Sequence, residues 1–330
     1  MTFALPFDNT RFAKDILNRE CEMLDRLTGM EVFSEAARKG SLSGAARAMG
    51  ISPTMATKHV NAIEDRLGVK LLHRTTRRLA LTDAGRRYLH PAEQVLADIA
   101  EAEAEASAER VEVAGQLRVA LPVSFGIRQI APLLPGFAEL HPQLRIDLGI
   151  DDRKVDLVAE GWDVAVRIGH NPDDTTVARK LAPCRTVVAA APDYLARHGT
   201  PRTVADLAAH NCLSYTLSHD VGPGRWPFGR DGKVAAPVSG NLQASNGDVL
   251  VELAVAGLGL IYEPTFLVGE HIRAGRLVSL PLDHPPADMP GVYAIYPASR
   301  RPLAKVRALI EFLAQRFGPN PSWDRDLERE

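Results

Sequence analysis

Two sets of side chains in this sequence have the chemistry to hold charged partners. The first runs Ser52-Pro53-Thr54-Met55-Ala56-Thr57-Lys58-His59-Val60-Asn61, then continues through Lys70, His73, Arg74, Thr75, Thr76, Arg77 and Arg78. Hydroxyl and amide groups exchange hydrogen bonds with base edges, and cations neutralise phosphates, so such a surface suits a polyanion. The second set is dispersed: Ser124, Arg167, Tyr215, Ser245 and Asn246. Arg167 can pair with a carboxylate. Ser124 and the Ser245-Asn246 pair stand at expected helix starts, where unpaired N–H groups favour an anion. Tyr215 can close a wall. The serines also suit plain capping, and Arg167 also suits a surface position or a pair with Asp173 or Asp174.

Other chemistries find no support. The chain has no nucleophile elbow, phosphate-binding loop, dinucleotide fingerprint or metal-spaced His pair. No enzyme activity, metal or cofactor is therefore expected. Gly222, Gly224 and Gly229 follow no phosphate-loop spacing. Cys21, Cys184 and Cys212 form no CxxC pair, and so few thiols fit a reducing cytosol. Cys184 and Cys212 read as buried and inert. The first residues carry no basic n-region, and no apolar run is long enough to span a bilayer. These features point to a cytoplasmic chain with no membrane partner.

Charge is segregated. The 330 residues carry a net charge of only -2. Between Arg38 and Pro91, however, 11 basic residues stand against 3 acidic ones, and between Pro91 and Glu112 seven acids stand against Arg110. A basic module followed by an acidic helix places polyanion contact at the first.

The elements that must position the first set are helices. Leu27, Met30, Phe33, Ala36 and Ala37 recur at helical steps, and Gly40 ends that helix. Ser43 can cap a second short helix that ends at Gly50. Ser52 caps a third, with Pro53 at its first position, where a missing N–H costs nothing. Its buried stripe is expected to be Ala56, Val60, Ile63 and Leu67, with Gly68 as its stop. Val69 to Leu72 and Leu79 to Leu81 read as two strands of a wing with a cationic tip. This is a helix-turn-helix pattern whose third helix would enter the major groove. The same spacing also suits a three-helix bundle with a charged loop.

The residues Gly40-Ser41-Leu42-Ser43-Gly44-Ala45-Ala46, Ile51-Ser52, Thr57-Lys58-His59-Val60, Ile63-Glu64, Arg66-Leu67-Gly68, Leu71-Leu72, Arg74-Thr75-Thr76-Arg77-Arg78 and Leu81-Thr82-Asp83-Ala84-Gly85 resemble the DNA-binding domain of LysR-type transcriptional regulators. The likeness is dense over about sixty residues and looser as far as Phe317. It implies that Ser52, Pro53, Thr54, Thr57, Lys58 and His59 form the recognition surface, and that Arg74 and Thr76 meet phosphates of double-stranded DNA. Arg77 joins them by its place in the cationic tip. Many members carry Gln where this chain has Pro53, so base preferences do not transfer at that position.

Thr82 can cap a helix from Asp83 towards Arg110, in which Tyr88, Ala92, Val95, Ile99, Ala102 and Ala106 follow heptad steps. A helix this long is expected to have no partner in its own module, so a second subunit is expected, and with it a roughly palindromic site. Pro91 can kink or restart the helix. The resemblance implies homodimers through this helix and homotetramers through the sensor domains. From Gly115 onward, short strands alternate with helices in the manner of parallel α/β architecture. The strands are expected at 116–121, 144–150, 163–168, 187–190, 258–262 and 292–296, with extended segments at 212–215 and 238–242. A helix is expected from Ser124 to Leu140, a helical turn at 155–160, and further helices at 193–198, 204–209, 246–256 and 303–317. The resemblance implies two α/β lobes with two crossovers, similar to periplasmic solute-binding proteins, with a small-molecule effector in the cleft.

The expected organisation is an α+β multi-domain chain. A weakly ordered extension spans 1–22, with Met23 an alternative start. A winged helix-turn-helix spans 23–82, a linker helix 83–112, a two-lobed α/β effector domain 113–320 and a polar tail 321–330. Two other readings remain at this stage. One is an enzyme with a DNA-targeting arm. The other is a transport solute-binding protein, which would require an export signal.

Overall fold

The structure is a computed structural model that describes residues 26–74, 79–107, 113–169, 175–217, 224–229, 231–287, 289–298, 302–325 and 327. The expected extension 1–22 and the wing tip Thr75–Arg78 lie outside the described residues, as do Asp173, Asp174 and residues 108–112. The chain divides into two units, Met1–Val111 and Glu112–Glu330.

In the first unit, helix α1 covers 26–39. α2 (Leu42–Ala48) and α3 (Pro53–Leu67) follow. Ser41 Oγ accepts from Gly44 N–H and Ser52 Oγ accepts from Met55 N–H, both at 3.2 Å, so the first cap is Ser41 and not Ser43. Pro53 occupies the first turn of α3. Gly68 ends it in the left-handed region at φ 68°, which only a residue without Cβ adopts freely. Val32, Phe33, Ala46, Ala56, Val60, Ile63, Leu71 and Leu72 form the core.

Two sequence expectations fail here for one reason. Leu67 is 41% exposed, and the fourth buried position of α3 belongs to Glu64. Glu64 Oε1 accepts the backbone N–H groups of Leu71 (2.9 Å) and Leu72 (3.2 Å), and Lys70 Nζ donates to Oε2 at 2.7 Å. The carboxylate thus holds the chain after Gly68 in place. Burial pushes its pKa up, but the bonds from Lys70, Leu71 and Leu72 outweigh this and hold it below the usual range. The first wing strand starts later than expected: β1 is Leu72–Arg74, paired antiparallel with β2 (Leu79–Leu81).

α4 (Asp83–Ser107) starts on Thr82, whose Oγ1 accepts from Gly85 N–H at 2.9 Å. Pro91 is accommodated inside it. The expectation that this helix lacks a partner in its own module fails over its first turns. Tyr88 and Leu89 pack on the first core, Tyr88 lies 5.6 Å from Phe33 between ring centroids, and Ala92 is 1% exposed. Beyond that point Val95 is 38% exposed.

The second unit holds a five-stranded sheet ordered β4-β3-β5-β14-β6. β3 is Gly115–Leu121, β4 Leu144–Ile150 and β5 Val164–Ile168. β6 is Thr176–Cys184 and β14 is Met289–Pro297. β3, β4 and β5 are parallel, whereas β14 runs antiparallel to β5 and β6. The sheet is therefore mixed and not parallel throughout. Sequence patterning missed β6, in which Thr, Arg, Lys and Pro interrupt the apolar run.

The second lobe centres on a three-stranded sheet ordered β12-β7-β13, with β7 at Thr186–Ala190, β12 at Ile261–Pro264 and β13 at Val278–Ser279. β8 (Ser214–Tyr215) and β11 (Gln243–Ala244) form a small parallel pair, and β9 (Arg225–Phe228) pairs antiparallel with β10 (Val234–Pro237). The extended segment expected at 238–242 is irregular, between β10 and β11.

Helices differ in detail. The stretch expected as one helix to Leu140 is α5 (Val123–Phe125), a π-helical turn (Gly126–Ile130), a 3-10 turn (Ala131–Leu133) and α6 (Leu134–Leu140). Residues 156–160 make the expected single turn, with Glu160 N–H donating to Asp156 O at 3.0 Å. α7 (Pro192–His198) and α8 (Gly247–Val255) lie near their expected places, with a 3-10 helix at Val204–Ala209. α9 (Thr265–Arg273) was missed. α10 (Ala304–Phe317) returns to the first lobe, where Lys305 Nζ donates to buried Asp163 at 2.8 Å. One apolar cluster spans both lobes, from Leu117, Phe125 and Val166 to Leu250, Val251 and Leu267. It includes Trp323, so the expected polar tail begins with a core residue.

Candidate functional site

In the first unit, the sequence-chosen residues of α3 divide by exposure. Ser52, Pro53, Thr54, Met55 and Lys58 are exposed, while Thr57, His59 and Asn61 are half-buried. The helical period that buries Ala56, Val60 and Ile63 turns these residues outward. Ser52 is committed to capping, and Thr57 Oγ1 donates to Pro53 O at 3.0 Å. Thr57 keeps lone pairs for a donor, such as the amino group of adenine or cytosine. Lys58 is the cation at the centre of this face. The backbone of Arg74 ends β1 and so points the chain into the wing. Thr76 and Arg77 lie outside the described residues.

In the second unit, the carboxyl ends of parallel β3, β4 and β5 open onto a cleft of about 1490 Å³, the usual place for a ligand in such sheets. Ser124, Asp151, Asp152 and Arg167 line it from the first lobe, and Tyr215, Trp226, Tyr262 and Glu263 line it from the second. Of the sequence-chosen residues, Ser124, Arg167 and Tyr215 reach this space. Asn246 stands beside them, its Nδ2 donating to Ser124 Oγ and to Asp152 Oδ2, both at 3.3 Å. Ser245 is exposed and does not line the cleft. It precedes the cap of α8, which is Asn246, whose Oδ1 accepts from Val249 N–H at 3.3 Å.

Ser124 is not a cap either. It lies inside α5, after Pro122, and its hydroxyl donates to Asp248 Oδ2 at 2.6 Å. Arg128 Nε, on the π-helical turn, donates to the other oxygen of Asp248 at 2.7 Å. Asp152 Oδ1 accepts Val123 N–H at 2.9 Å. Arg167 donates to the carbonyl oxygens of Arg153 (3.1 Å) and Val155 (3.4 Å). Burial lowers its pKa, against the opposing pull of Glu160 and Asp151. Burial, with Asp152 and Glu263 nearby, raises the Tyr215 hydroxyl well above its ordinary range.

Sequence reading missed Arg128, Asp152, Asp248 and Glu263. Glu263 carries the clearest missed signal: it is an acid set between the apolar run Leu258 to Tyr262 and Pro264, and it is buried. Its carboxyl is pushed up to about 8, first by burial and then by Asp248. Cys184 and Cys212 are buried, and burial pushes both thiols up to about 12, which favours the protonated form. Among the described residues there is no group of His, Cys, Asp and Glu placed to hold a metal ion, and no helix is long and apolar enough to cross a membrane.

Residues 27–86 match the family model described as bacterial regulatory helix-turn-helix protein, lysR family, and residues 110–318 match that of the LysR substrate binding domain. The HTH-type transcriptional regulator DmlR of Escherichia coli is 35% identical over 296 residues, covering 89% of this chain and 95% of that protein. The solved structure of CrgA, a LysR-type transcriptional regulator from Neisseria meningitidis, is 30% identical with a TM-score of 0.56, covering 87% of this chain and 97% of that one. Full-length AphB, a Vibrio cholerae virulence activator, is 27% identical with a TM-score of 0.53, covering 88% and 98%. Relatives of this kind are regulators and not enzymes, and the chain joins the same two modules in the same order. The chain belongs to the LysR-type transcriptional regulators, with an N-terminal helix-turn-helix for DNA and a C-terminal effector-binding domain.

Proposed function

We propose that this regulator binds a roughly palindromic promoter site as a homodimer, and that a small-molecule effector in the cleft modulates that binding or the activation that follows. The observation that carries the DNA reading is the face of α3. Pro53, Thr54 and Lys58 are exposed on a helix whose opposite side is fully packed. Ser52, Thr57 and His59 border that face, and Arg74, Thr76 and Arg77 are the further DNA contacts that the sequence implies. Domain bounds follow the sequence expectation: 23–82 for DNA binding, 83–112 for the linker and 113–320 for the effector. Dimerisation runs through the later turns of α4, and tetramers form through the effector domains. DNA as the partner places the protein in the cytoplasm.

In the cleft, Ser124, Arg167, Tyr215 and Asn246 are the effector contacts, and a carboxylate on the effector pairs with Arg167. Support for that pair is that Arg167, Lys154 and Arg225 are among the residues lining the cleft. Ser245 contributes only through the turn that leads into Asn246.

The test is a mobility-shift titration on DNA upstream of the protein's own gene, over a range of salt and with a panel of small carboxylates. Affinity should fall steeply as salt rises, because phosphate contacts release counterions. A salt-independent shift would refute the phosphate contacts. Arg167→Ala should keep DNA binding and blunt the response to a carboxylate. An unaltered response would remove Arg167 from the site.

A further inference from the structure

One end of the cleft is built from acceptors. The Glu263 carboxyl lines it, is only 4% exposed, and has no hydrogen bond or ion pair among the described residues. Its position is fixed by close packing at the start of α8: a Cβ on Gly247 would stand 3.0 Å from Glu263 Oε2 and 2.6 Å from Leu267 Cδ1. Asp248, Asp152 and Tyr215 surround the same space.

Several donors nearby are already committed, while the hydroxyls of Tyr215 and Thr186, which line the cleft, carry no hydrogen bond among the described residues. The Ser124 hydroxyl and Arg128 Nε both go to Asp248. The Asn246 amide goes to Ser124 and Asp152, and Val123 N–H goes to Asp152. Arg128 pairs with Asp248, and Asp152 and Glu263 have no ion pair among the described residues. An effector anion placed here would meet carboxyl oxygens and no uncommitted side-chain cation. A buried polar group without a partner costs free energy unless a ligand supplies one.

We propose that this end of the cleft recognises a protonated amino group on the effector, seated between the carboxylates of Glu263 and Asp152 beside the Tyr215 hydroxyl. The inference rests on the preceding reading that the cleft takes a small molecule, and it adds the charge of one end of that molecule. Arg167 and Lys154 also line the cleft, so an effector carrying both a carboxylate and an ammonium group would satisfy both sets of residues. The ammonium group supplies three donors, which Glu263, Asp152 and Tyr215 can accept. Seating it ionises Glu263, whose proton leaves to solvent. The groups facing Glu263 in that titration are Asp248, Asp152 and Tyr215, with Arg128 behind Asp248.

The test is calorimetric titration of the full chain with α-amino acids, ω-amino acids and putrescine, each beside its analogue lacking an amino group. At least one amine should bind, and its deaminated analogue should bind roughly tenfold or more weakly. Glu263→Gln should weaken the amine by a similar factor while leaving DNA binding intact, and Asp152→Asn serves as a second variant should the first fail to fold. Gln keeps a hydrogen-bond donor but loses the charge, so unchanged binding to Glu263→Gln would overturn the proposal in favour of a protonated Glu263 donating to the ligand. Acids binding as tightly as their amino counterparts would overturn it too, while leaving the cleft as an effector site. No amine binding at about 10 mM would also overturn it, and if the acids then failed as well, the effector reading itself would fall.

Discussion

The Ser124 hydroxyl donates to Asp248 Oδ2 at 2.6 Å, joining a turn after β3 in the first lobe to the first turn of α8. Arg128 completes the contact on the other carboxylate oxygen. The bonds lie beside the cleft, so they link the stability of the domain to the geometry of the ligand space.

Asp248→Ala should therefore destabilise the effector domain by about 1–3 kcal/mol, because it removes a charge-assisted bond and leaves Arg128 without its partner. Ser124→Ala should cost less, about 1 kcal/mol. Urea denaturation followed by tryptophan fluorescence measures both. Equal, negligible losses would show that the contact carries no stability.

Glu64 offers a sharper test in the first unit. Glu64→Ala would leave the buried N–H groups of Leu71 and Leu72 without their acceptor, at a cost of about 2–4 kcal/mol. Lys70→Ala should cost under about 1 kcal/mol, since Lys70 is largely exposed. The Glu64 pKa lies below its ordinary value, so its contribution is fully present above the ordinary carboxylate range and is lost as pH falls from there through the lowered value. Acid denaturation of the two variants should differ from the wild type in that window.

For Glu263 the sign reverses. Its carboxyl titrates near 8 in the fold against an ordinary 4.5. The folded state then holds a proton that the unfolded chain has lost, so stability falls as pH rises from about 4.5 to about 8. Glu263→Gln should remove that slope and raise the melting temperature at pH 8 relative to wild type. Parallel pH profiles for the two proteins would contradict the buried, protonated state.

On DNA, Lys58→Ala should weaken binding to every sequence alike and reduce the slope of log affinity against log salt by about 1. A change confined to one operator base would instead make Lys58 a base reader.

In the linker, Val95→Asp and Ile99→Asp should dissociate the dimer with little effect on the folding of the first unit, because the packed part of α4 ends near Ala92. Sedimentation velocity gives the readout. A dimer unchanged in both variants would move the interface elsewhere.

The local elements were legible in the sequence because each carries its own physical signal. Ser52 and Pro53 start α3, Gly68 stops it, and Ala56, Val60 and Ile63 fix its buried face within four turns. The dense pattern from Gly40 to Gly85 likewise pointed to its family, and Ser124, chosen at an expected helix start, Arg167, chosen at a strand end, and Tyr215, chosen as a wall, all line the cleft. What the sequence could not decide depended on residues far apart in the chain. Glu64 displaced Leu67 from the core because it meets backbone N–H groups that exist only once the chain turns back after Gly68. Ser124 became a partner of Asp248, 124 residues away, and not a helix cap. Glu263 acquired its raised pKa, and Ser245 lost its expected place at the cleft, only when the two lobes closed around the same space. Short-range periodicity sets which face of an element is apolar; which polar groups on that face find partners is decided by packing between elements.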